Sequence, residues 1–183
     1  MKAFAALVAR EVRLAWTGGG ILWIAALLAT LLPIERLILP DRQAGILDQL
    51  ALRGWSDELV ATAKIIGQIF AFALPLLLAT VVGSALIGLP EAQLGTLLLG
   101  LALALPALSG LSVTIAALTA GLSGASALGG LLLVPITIPL LIFGAGTLSE
   151  NPGNAMQLLA ATALAITALS PFAAGAALRA GRT

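Results

Sequence analysis

Side chains that could do chemistry are scarce in this sequence, and their types exclude most catalytic functions. The 183 residues include no Cys, no His and no Tyr, so disulfide bonds, thiol catalysis and Cys-ligated metal sites are ruled out. Hydrolysis would need a Ser/His/Asp set or a carboxylate pair, whereas Glu91 and Glu150 are isolated in predicted loops. Haem iron takes His, Cys, Met or Tyr, and only Met1 and Met156 are of these types. We therefore predict that the chain is not an enzyme and binds no metal or cofactor itself.

Charged residues are concentrated in one internal stretch, Asp41–Lys64, which we call the charged island. Apolar residues recur at helical spacing within it and form one face of a predicted short helix: Ile46, Leu47, Leu50 and Ala51. The other faces of this helix are polar and carry Asp48, Gln49 and Arg53. A helix this short and charged would lie at a membrane surface, where a soluble partner could bind it. A solvated loop without a partner is the alternative, and periodicity alone does not decide between the two.

The remainder of the chain is apolar enough to belong in a bilayer. Apolar residues make up 60% of the sequence and charged residues 9%, against about 25% charged in ordinary globular domains. A membrane span needs roughly 20 apolar residues. Five stretches qualify: Ile21–Leu39, Val60–Leu89, Leu94–Thr119, Ala127–Leu148 and Ala155–Leu178. The sequence therefore predicts an all-α integral membrane protein, a single transmembrane domain over residues 1–183. The net charge of +1 gives no reason to expect a nucleic acid partner.

The placement of Lys and Arg predicts the orientation of the spans. Basic residues occur up to Lys64 and again at Arg179 and Arg182, with none between. Because Lys and Arg stay on the cytoplasmic side, the N-terminus, the island and the C-terminus are all expected inside. Four spans from the island to the C-terminus fit this expectation, with the 120–126 loop inside. The single span before the island does not fit. Either a crossing is missing near Gly18–Ile21, the interpretation we favour, or Met1–Trp16 lies outside despite its three basic residues.

Two further features bear on the spans and their ends. Residues Met1–Trp16 form a predicted interfacial amphipathic helix, and a cleaved leader is the alternative. Glu35 and Arg36, beside each other near the end of the first span, are either an ion pair at the mouth of a substrate path or membrane-edge anchors.

A pair of prolines marks the fourth predicted span. Pro135 and Pro139 each remove a backbone donor, and we expect them to kink or break the helix, with Thr137 between them bonding a freed carbonyl. A broken span often lines a moving path. A static kink for packing is the alternative interpretation.

Several runs of this sequence resemble the heme exporter protein B family, the membrane permease subunit of an ABC-type complex for c-type cytochrome maturation in bacteria. The resemblance covers most of the chain in order, and its residues lie in Ile21–Leu28, Glu35–Leu37, Gly45–Leu50, Pro135–Gly144, Ser170–Ala173 and Ala176–Arg179. The Pro-x-x-x-Pro run and the Ser-Pro-Phe run are its most specific parts. The family has six spans with both termini cytoplasmic, and the segment that this sequence lacks falls at Gly18–Ile21.

The resemblance implies a site and a set of partners. A separate ATPase subunit, which holds the ATP, would dock on the coupling segment, residues 41–59, at Asp41, Gly45, Ile46, Leu47, Asp48, Gln49 and Leu50. Haem would be handled by neighbouring membrane subunits and a periplasmic carrier, in the bacterial inner membrane, and a homodimer is compatible with this arrangement. The alternative function is a non-transporting scaffold that holds haem-handling subunits together through its small-residue spans.

Overall fold

The computed structural model describes residues 18–30, 32–122, 125–149 and 151–182, and these residues form a bundle of helices. No strand occurs within these ranges. The helices are α1 (Gly18–Ala29), α2 (Ile34–Leu37), α3 (Leu39–Gln43), α4 (Ile46–Leu52), α5 (Asp57–Leu86), α6 (Glu91–Thr119), α7 (Ala125–Gly146) and α8 (Ala155–Ala180). The prediction of an all-α transmembrane bundle is confirmed. The predicted interfacial helix, Met1–Trp16, lies outside the described residues. The prediction of a missing crossing near Gly18–Ile21 concerns the segment that begins there, so it stays a prediction.

Four of the five predicted spans are single long helices, namely α5, α6, α7 and α8, and each is long and apolar enough to cross a membrane. Helix α5 begins at Asp57, inside the island, because Ser56 caps it: the Ser56 hydroxyl oxygen accepts a hydrogen bond from the Leu59 backbone N–H at 3.3 Å. Asp57 and Glu58 then occupy its first turn, where the helix dipole favours negative charge.

The first predicted span, Ile21–Leu39, is not one continuous helix, and this prediction is corrected. Helix α1 ends at Ala29, and α2 and α3 follow at a bend of 42°. Pro33 explains the interruption, because proline disfavours helical backbone in the residue before it and lacks the N–H donor. A carbonyl freed at the end of α1, that of Thr30, accepts a hydrogen bond from the Ser112 hydroxyl of α6 at 3.3 Å.

Helix α6 is the centre of the bundle. In its most hydropathic 18-residue stretch 72% of the residues are buried, against 22–28% in the other three long helices. One core cluster lies around the end of α6 that carries Ala117 and Ala120, and a second lies around Leu97 and Leu101. Small residues bring α8 close to α6: the Ser170 side chain lies directly against Gly110.

Trp23 of α1 is the largest fully buried side chain described, and two glycines make room for its ring. A Cβ atom at Gly144 of α7 would lie 2.5 Å from the indole, and one at Gly100 of α6 would lie 3.1 Å from it. Three helices therefore meet around a single rigid ring, which fixes their spacing in the second core cluster.

Pro135 and Pro139 do not break α7, which runs unbroken from Ala125 to Gly146. Both prolines are exposed on its outer side. The Thr137 hydroxyl donates to the carbonyls of Leu133 and Val134, each at 3.0 Å. A proline frees the carbonyl four residues before it, because it has no N–H to donate, and these carbonyls belong to Leu131 and Pro135. Thr137 bonds neither of them, so the expectation that Thr137 bonds a freed carbonyl is wrong. Thr137 itself is buried and bonds within its own helix.

The long helices alternate in direction, which sorts the loops into two sets. The island, the turn after Thr119 and the end of α8 meet at one end of the bundle, which we call the island end. The turns after Leu86 and Gly146 lie at the opposite end, where the Leu148 side chain packs against Gly19 of α1. The relative sidedness of these segments agrees with the orientation expected from the basic residues.

Candidate coupling surface at the island end of the bundle

Helix α4 is bounded on both sides by glycines with left-handed backbone. Gly45 precedes it at φ 67° and Gly54 follows it at φ 82°. At the second boundary the Gly54 N–H donates to the Ala51 carbonyl at 2.9 Å and the Trp55 N–H donates to the Leu50 carbonyl at 3.1 Å. These two bonds form a Schellman motif, which needs a left-handed residue that glycine adopts without steric cost. The short helix is thus defined by its own sequence.

One side of α4 is anchored in the bundle. The Leu47 side chain is 6% exposed and belongs to the core cluster at the island end, and Leu50 packs against the same cluster. Leu47 shares this cluster, and the lining of one cavity, with residues at the ends of α6 and α8: Ala117, Ala120, Ala177 and Leu178. The predicted short helix is present, and it lies on the bundle rather than standing free.

The other side of α4 is largely exposed and carries a mixed apolar and polar surface. Its exposed members are Ile46, Asp48, Gln49, Leu52, Arg53 and Trp55. Leu52 is 88% exposed and Ile46 is 41% exposed, although Ile46 was predicted on the apolar face with Leu47. Exposed apolar side chains between charged ones are typical of a surface that binds another protein.

Ion pairs tie the island to the rest of the bundle end. Lys64 of α5 pairs with Asp41 of α3. Arg179 Nη1, in the last turn of α8, lies 2.5 Å from Glu58 Oε1. These pairs link elements that are distant in sequence across the same end of the bundle.

Arg182, just beyond α8, is close to two island carboxylates. It pairs with Asp57 at the start of α5, and its Nε lies 4.0 Å from Asp48 Oδ1 of α4. The Asp57 side chain is only 8% exposed, so its charge depends on this partner.

Arg42 of α3 binds the ends of two long helices at once. Its Nη1 donates to the Ala120 carbonyl after α6 at 2.6 Å, and its Nη2 donates to the Gly181 carbonyl after α8. Both acceptors belong to helix C-termini, where the last carbonyls have no partner within the helix and the dipole is negative. The planar guanidinium, with its fork of donors, suits two acceptors in this way.

A cavity of about 250 Å³ lies between α3, α4 and the ends of α6 and α8. Its floor is apolar, and the charged groups at its rim are Arg42, Asp48 and Arg182. Within the residues that the structure describes, no group of three Asp or Glu side chains could hold a metal ion.

The structure brings one of the two predicted groups of site residues together. The coupling residues Asp41, Gly45, Ile46, Leu47, Asp48, Gln49 and Leu50 all lie at the island end in α3, in α4 or in the turn between them.

The predicted path residues do not share one site. Glu35 and Arg36 are exposed on α2, and Pro135 and Pro139 lie on the outer side of α7. Thr137 lines an apolar groove of about 120 Å³ between α1 and α7. A role of these residues in a substrate path stays a prediction.

Four residues of this surface were not identified as contacts from the sequence: Arg42, Asp57, Arg179 and Arg182. The sequence did contain a signal for them. No basic residue lies between Lys64 and Arg179, while acidic residues of the island are expected on the same side as the C-terminus. A charged side chain is costly inside the membrane, so acidic and basic residues gather at the same end of the bundle. Residues of opposite charge at one end are therefore candidates for ion pairs.

The fold and the charge distribution together define the class of this protein. It is a multi-pass helical membrane protein, whose described residues include four helices long and apolar enough to span a membrane and a bent helix pair that would make a fifth. Most of the charged side chains in these residues lie at the island end.

The chain belongs to the CcmB protein family, whose family model matches residues 6–181. It is 41% identical over 165 residues to heme exporter protein B of Paracoccus denitrificans, an alignment that covers 87% of this chain and 76% of the relative. It is 38% identical over 166 residues to heme exporter protein B of Pseudomonas aeruginosa, covering 87% and 74%. For heme exporter protein B of Escherichia coli K12 the identity is 37% over 165 residues, covering 87% and 75%.

Proposed function

We propose that this chain is the permease subunit of an ABC-type exporter complex that acts in haem delivery for c-type cytochrome maturation. Its relatives are named heme exporter protein B, which supports the haem-related role. The observation that carries the coupling role is the two-sided α4, anchored through Leu47 on one side and exposed through Leu52 on the other. ATP is held by a partner ATPase on the cytoplasmic side of the bacterial inner membrane, and haem by neighbouring membrane subunits and a periplasmic carrier.

The anchored side of α4 explains how a partner could move the bundle. A protein that binds Ile46, Leu52 and Trp55 applies force to a helix whose Leu47 is buried in the core cluster shared with the ends of α6 and α8. The closed ATPase binds one arrangement of the long helices more tightly than the other. Closure therefore shifts the population of the bundle toward that arrangement.

A single substitution with a matched control tests the docking surface. Leu52→Asp places a carboxylate on the exposed side of α4, and Leu86→Asp places one at the opposite end of the bundle, on a side chain that is 82% exposed. We expect Leu52→Asp to lose co-purification of the ATPase subunit and c-type cytochrome maturation, whereas Leu86→Asp keeps the ATPase. Equal membrane levels of the two proteins show that insertion is intact. Full retention of the ATPase by Leu52→Asp and by Ile46→Asp would contradict the proposal.

The side of the membrane on which α4 lies can be read directly, because the chain has no Cys. Single replacements Gln49→Cys and Leu86→Cys, treated with a membrane-impermeant thiol reagent in intact cells, should label only the second. Labelling of Gln49→Cys from outside would place α4 out of reach of any cytoplasmic ATPase.

The scaffold alternative uses the small residues as its binding faces. In the structure several of these residues are occupied within the chain, since Gly110 contacts Ser170 and Gly175 contacts the backbone of Glu58. This favours the permease. A scaffold would still capture haem-handling subunits in cells that lack the ATPase, and its output would be indifferent to Leu52→Asp.

A further inference from the structure

Three arginines join parts of the island end that are far apart in sequence. Arg42 connects α3 to the ends of α6 and α8, Arg179 connects α8 to α5, and Arg182 connects α8 to both α5 and α4. Each of the three arginines makes at least one contact with the end of α8 or belongs to it, at Arg179, Gly181 or Arg182. The charged contact of α4 with the long helices, between Asp48 and Arg182, is also made at this end.

The charge balance shows that these arginines serve the protein itself. Each helix C-terminus carries about half a negative charge, so the two C-termini that Arg42 binds together offset its single positive charge. Arg182 faces Asp57 and Asp48, and Arg179 faces Glu58. No positive charge remains in excess at the rim of the cavity, which therefore does not attract an anionic ligand.

Glycines allow the end of α8 to approach its partners. A Cβ atom at Gly181 would lie 3.0 Å from Arg42 Nη1, and one at Gly175 would lie 3.0 Å from the Glu58 backbone nitrogen. At Gly175 the neighbouring atom belongs to the backbone of α5 and cannot move aside, so the close packing of α8 on α5 depends on this glycine. At Gly181 the neighbour is the end of the Arg42 side chain, which a Cβ atom would displace by a few tenths of an ångström.

We propose that the last turn of α8 and the residues after it, Arg179–Arg182, form a latch that positions the coupling helix α4, with Arg42 and Arg182 as its positioning residues. Movement of α4 passes first to α8 through this latch and through Leu47, and only afterwards to α5, which follows α4 in the chain. This inference rests on the proposed function, because it assigns the route by which force on α4 enters the bundle.

Distances between paired spin labels on the cysteine-free chain test the latch in the assembled complex. One label pair, at Gln49→Cys and Ala176→Cys, reports the position of α4 relative to α8. A reference pair at Ala71→Cys and Ala161→Cys joins α5 to α8 away from the island end. We expect Arg42→Gln and Arg182→Gln to broaden the first distance distribution and to leave the reference distribution unchanged, since a general loss of structure would broaden both.

Two comparisons keep the result specific. Glu91→Gln removes an exposed charge from the first turn of α6, at the opposite end of the bundle, and should leave the first distribution as narrow as in the unmodified chain. Arg42→Lys keeps the charge but loses the fork that reaches two carbonyls, so it should broaden the first distribution as Arg42→Gln does. The latch is refuted if Arg42→Gln and Arg182→Gln match Glu91→Gln.

The assay also separates the latch from the proposed function. The proposed function is tested by loss of the ATPase in Leu52→Asp, and that outcome does not depend on either arginine. Given a bound ATPase, addition of ATP should change the α4–α8 distance and the reference distance together in the unmodified chain. In Arg182→Gln the ATP-dependent change at the reference pair should disappear while ATP hydrolysis continues. If ATP changed the distance of the reference pair in Arg182→Gln as much as in the unmodified chain, the route through α8 would be refuted.

Discussion

Removing the positive charge at position 182 should destabilise the bundle more than removing its negative partner. In Arg182→Gln the carboxylate of Asp57 keeps its charge with a side chain only 8% exposed. Loss of one partner from a buried ion pair costs about 3–5 kcal/mol. The helix dipole at the N-terminus of α5, where Asp57 lies, offsets about 1 kcal/mol of this cost. We therefore expect the free energy of unfolding to fall by about 2–4 kcal/mol.

The opposite substitution leaves a better-placed group behind. In Asp57→Asn the side chain of Arg182 is 29% exposed and retains Asp48 at 4.0 Å, so its charge is hydrated and partly compensated. The expected loss is about 1–2 kcal/mol, made up of about 0.2–1 kcal/mol for an ion pair with a partly exposed partner and about 1 kcal/mol for the dipole interaction of the carboxylate with the start of α5. In the double variant no charge is buried without a partner, and it should be more stable than Arg182→Gln alone. This non-additivity, read from a double-mutant cycle, is the signature of a real pair.

Thermal unfolding of the chain in lipid nanodiscs, followed by tryptophan fluorescence, measures the effect. For Arg182→Gln a loss of about 2 kcal/mol, the lower end of the expected range, corresponds to a Tm decrease of about 4–8 °C for a chain of this size. Arg53→Gln is the control, since exposed residues without contacts change stability by less than about 0.5 kcal/mol. Equal Tm values for Arg182→Gln and Arg53→Gln would refute the reasoning, and so would an Asp57→Asn variant as unstable as Arg182→Gln.

Three further substitutions test the packing and the turns by the same unfolding assay. Gly144→Ala should cost about 1–3 kcal/mol, because the new Cβ would overlap the rigid ring of Trp23, and a Tm equal to that of the unmodified chain would contradict this. Ser112→Ala removes the hydroxyl that bonds the Thr30 carbonyl and should cost only about 0.6 kcal/mol, the usual value for such bonds between membrane helices. Gly45→Ala should cost about 1–2 kcal/mol because of the left-handed backbone, and Gly45→Asn should be milder; equal losses would argue against a conformational cause.

Hydropathy predicted the long helices well because their length and composition are set by the bilayer. The four predicted spans after the island correspond to α5, α6, α7 and α8 with shifts of a few residues at their ends. Hydropathy did not predict the interruption of the first span at Pro33. The mean hydropathy of a stretch of residues measures how apolar it is, and it carries no information on where the backbone hydrogen bonds of a helix end. The prolines of α7 misled in the opposite direction, since a proline on the outer side of a helix need not break it.

The candidate site was only half readable from the sequence, for a physical reason. Local periodicity indicated α4 and placed Leu47 and Leu50 on its apolar face, and both contact the bundle. Contacts between the island and Arg182 or Ala120 join residues more than 70 positions apart, and periodicity carries no information on such pairs. The basic residues had been used for orientation alone, so their role as contacts was overlooked.

Orientation and contact are served by the same side chains at the island end. The rule that keeps basic residues inside would be met equally by Lys or Arg. At positions 42, 179 and 182 the residue is Arg, and two of these guanidinium groups contact two acceptor groups each. Lys64, by contrast, places its ammonium against the single carboxylate of Asp41. At Arg42 and Arg182 the planar fork of donors lets one side chain bridge separate elements, which the single ammonium of a Lys would do less well, so Arg42→Lys and Arg182→Lys should weaken the arrangement of the island, α6 and α8.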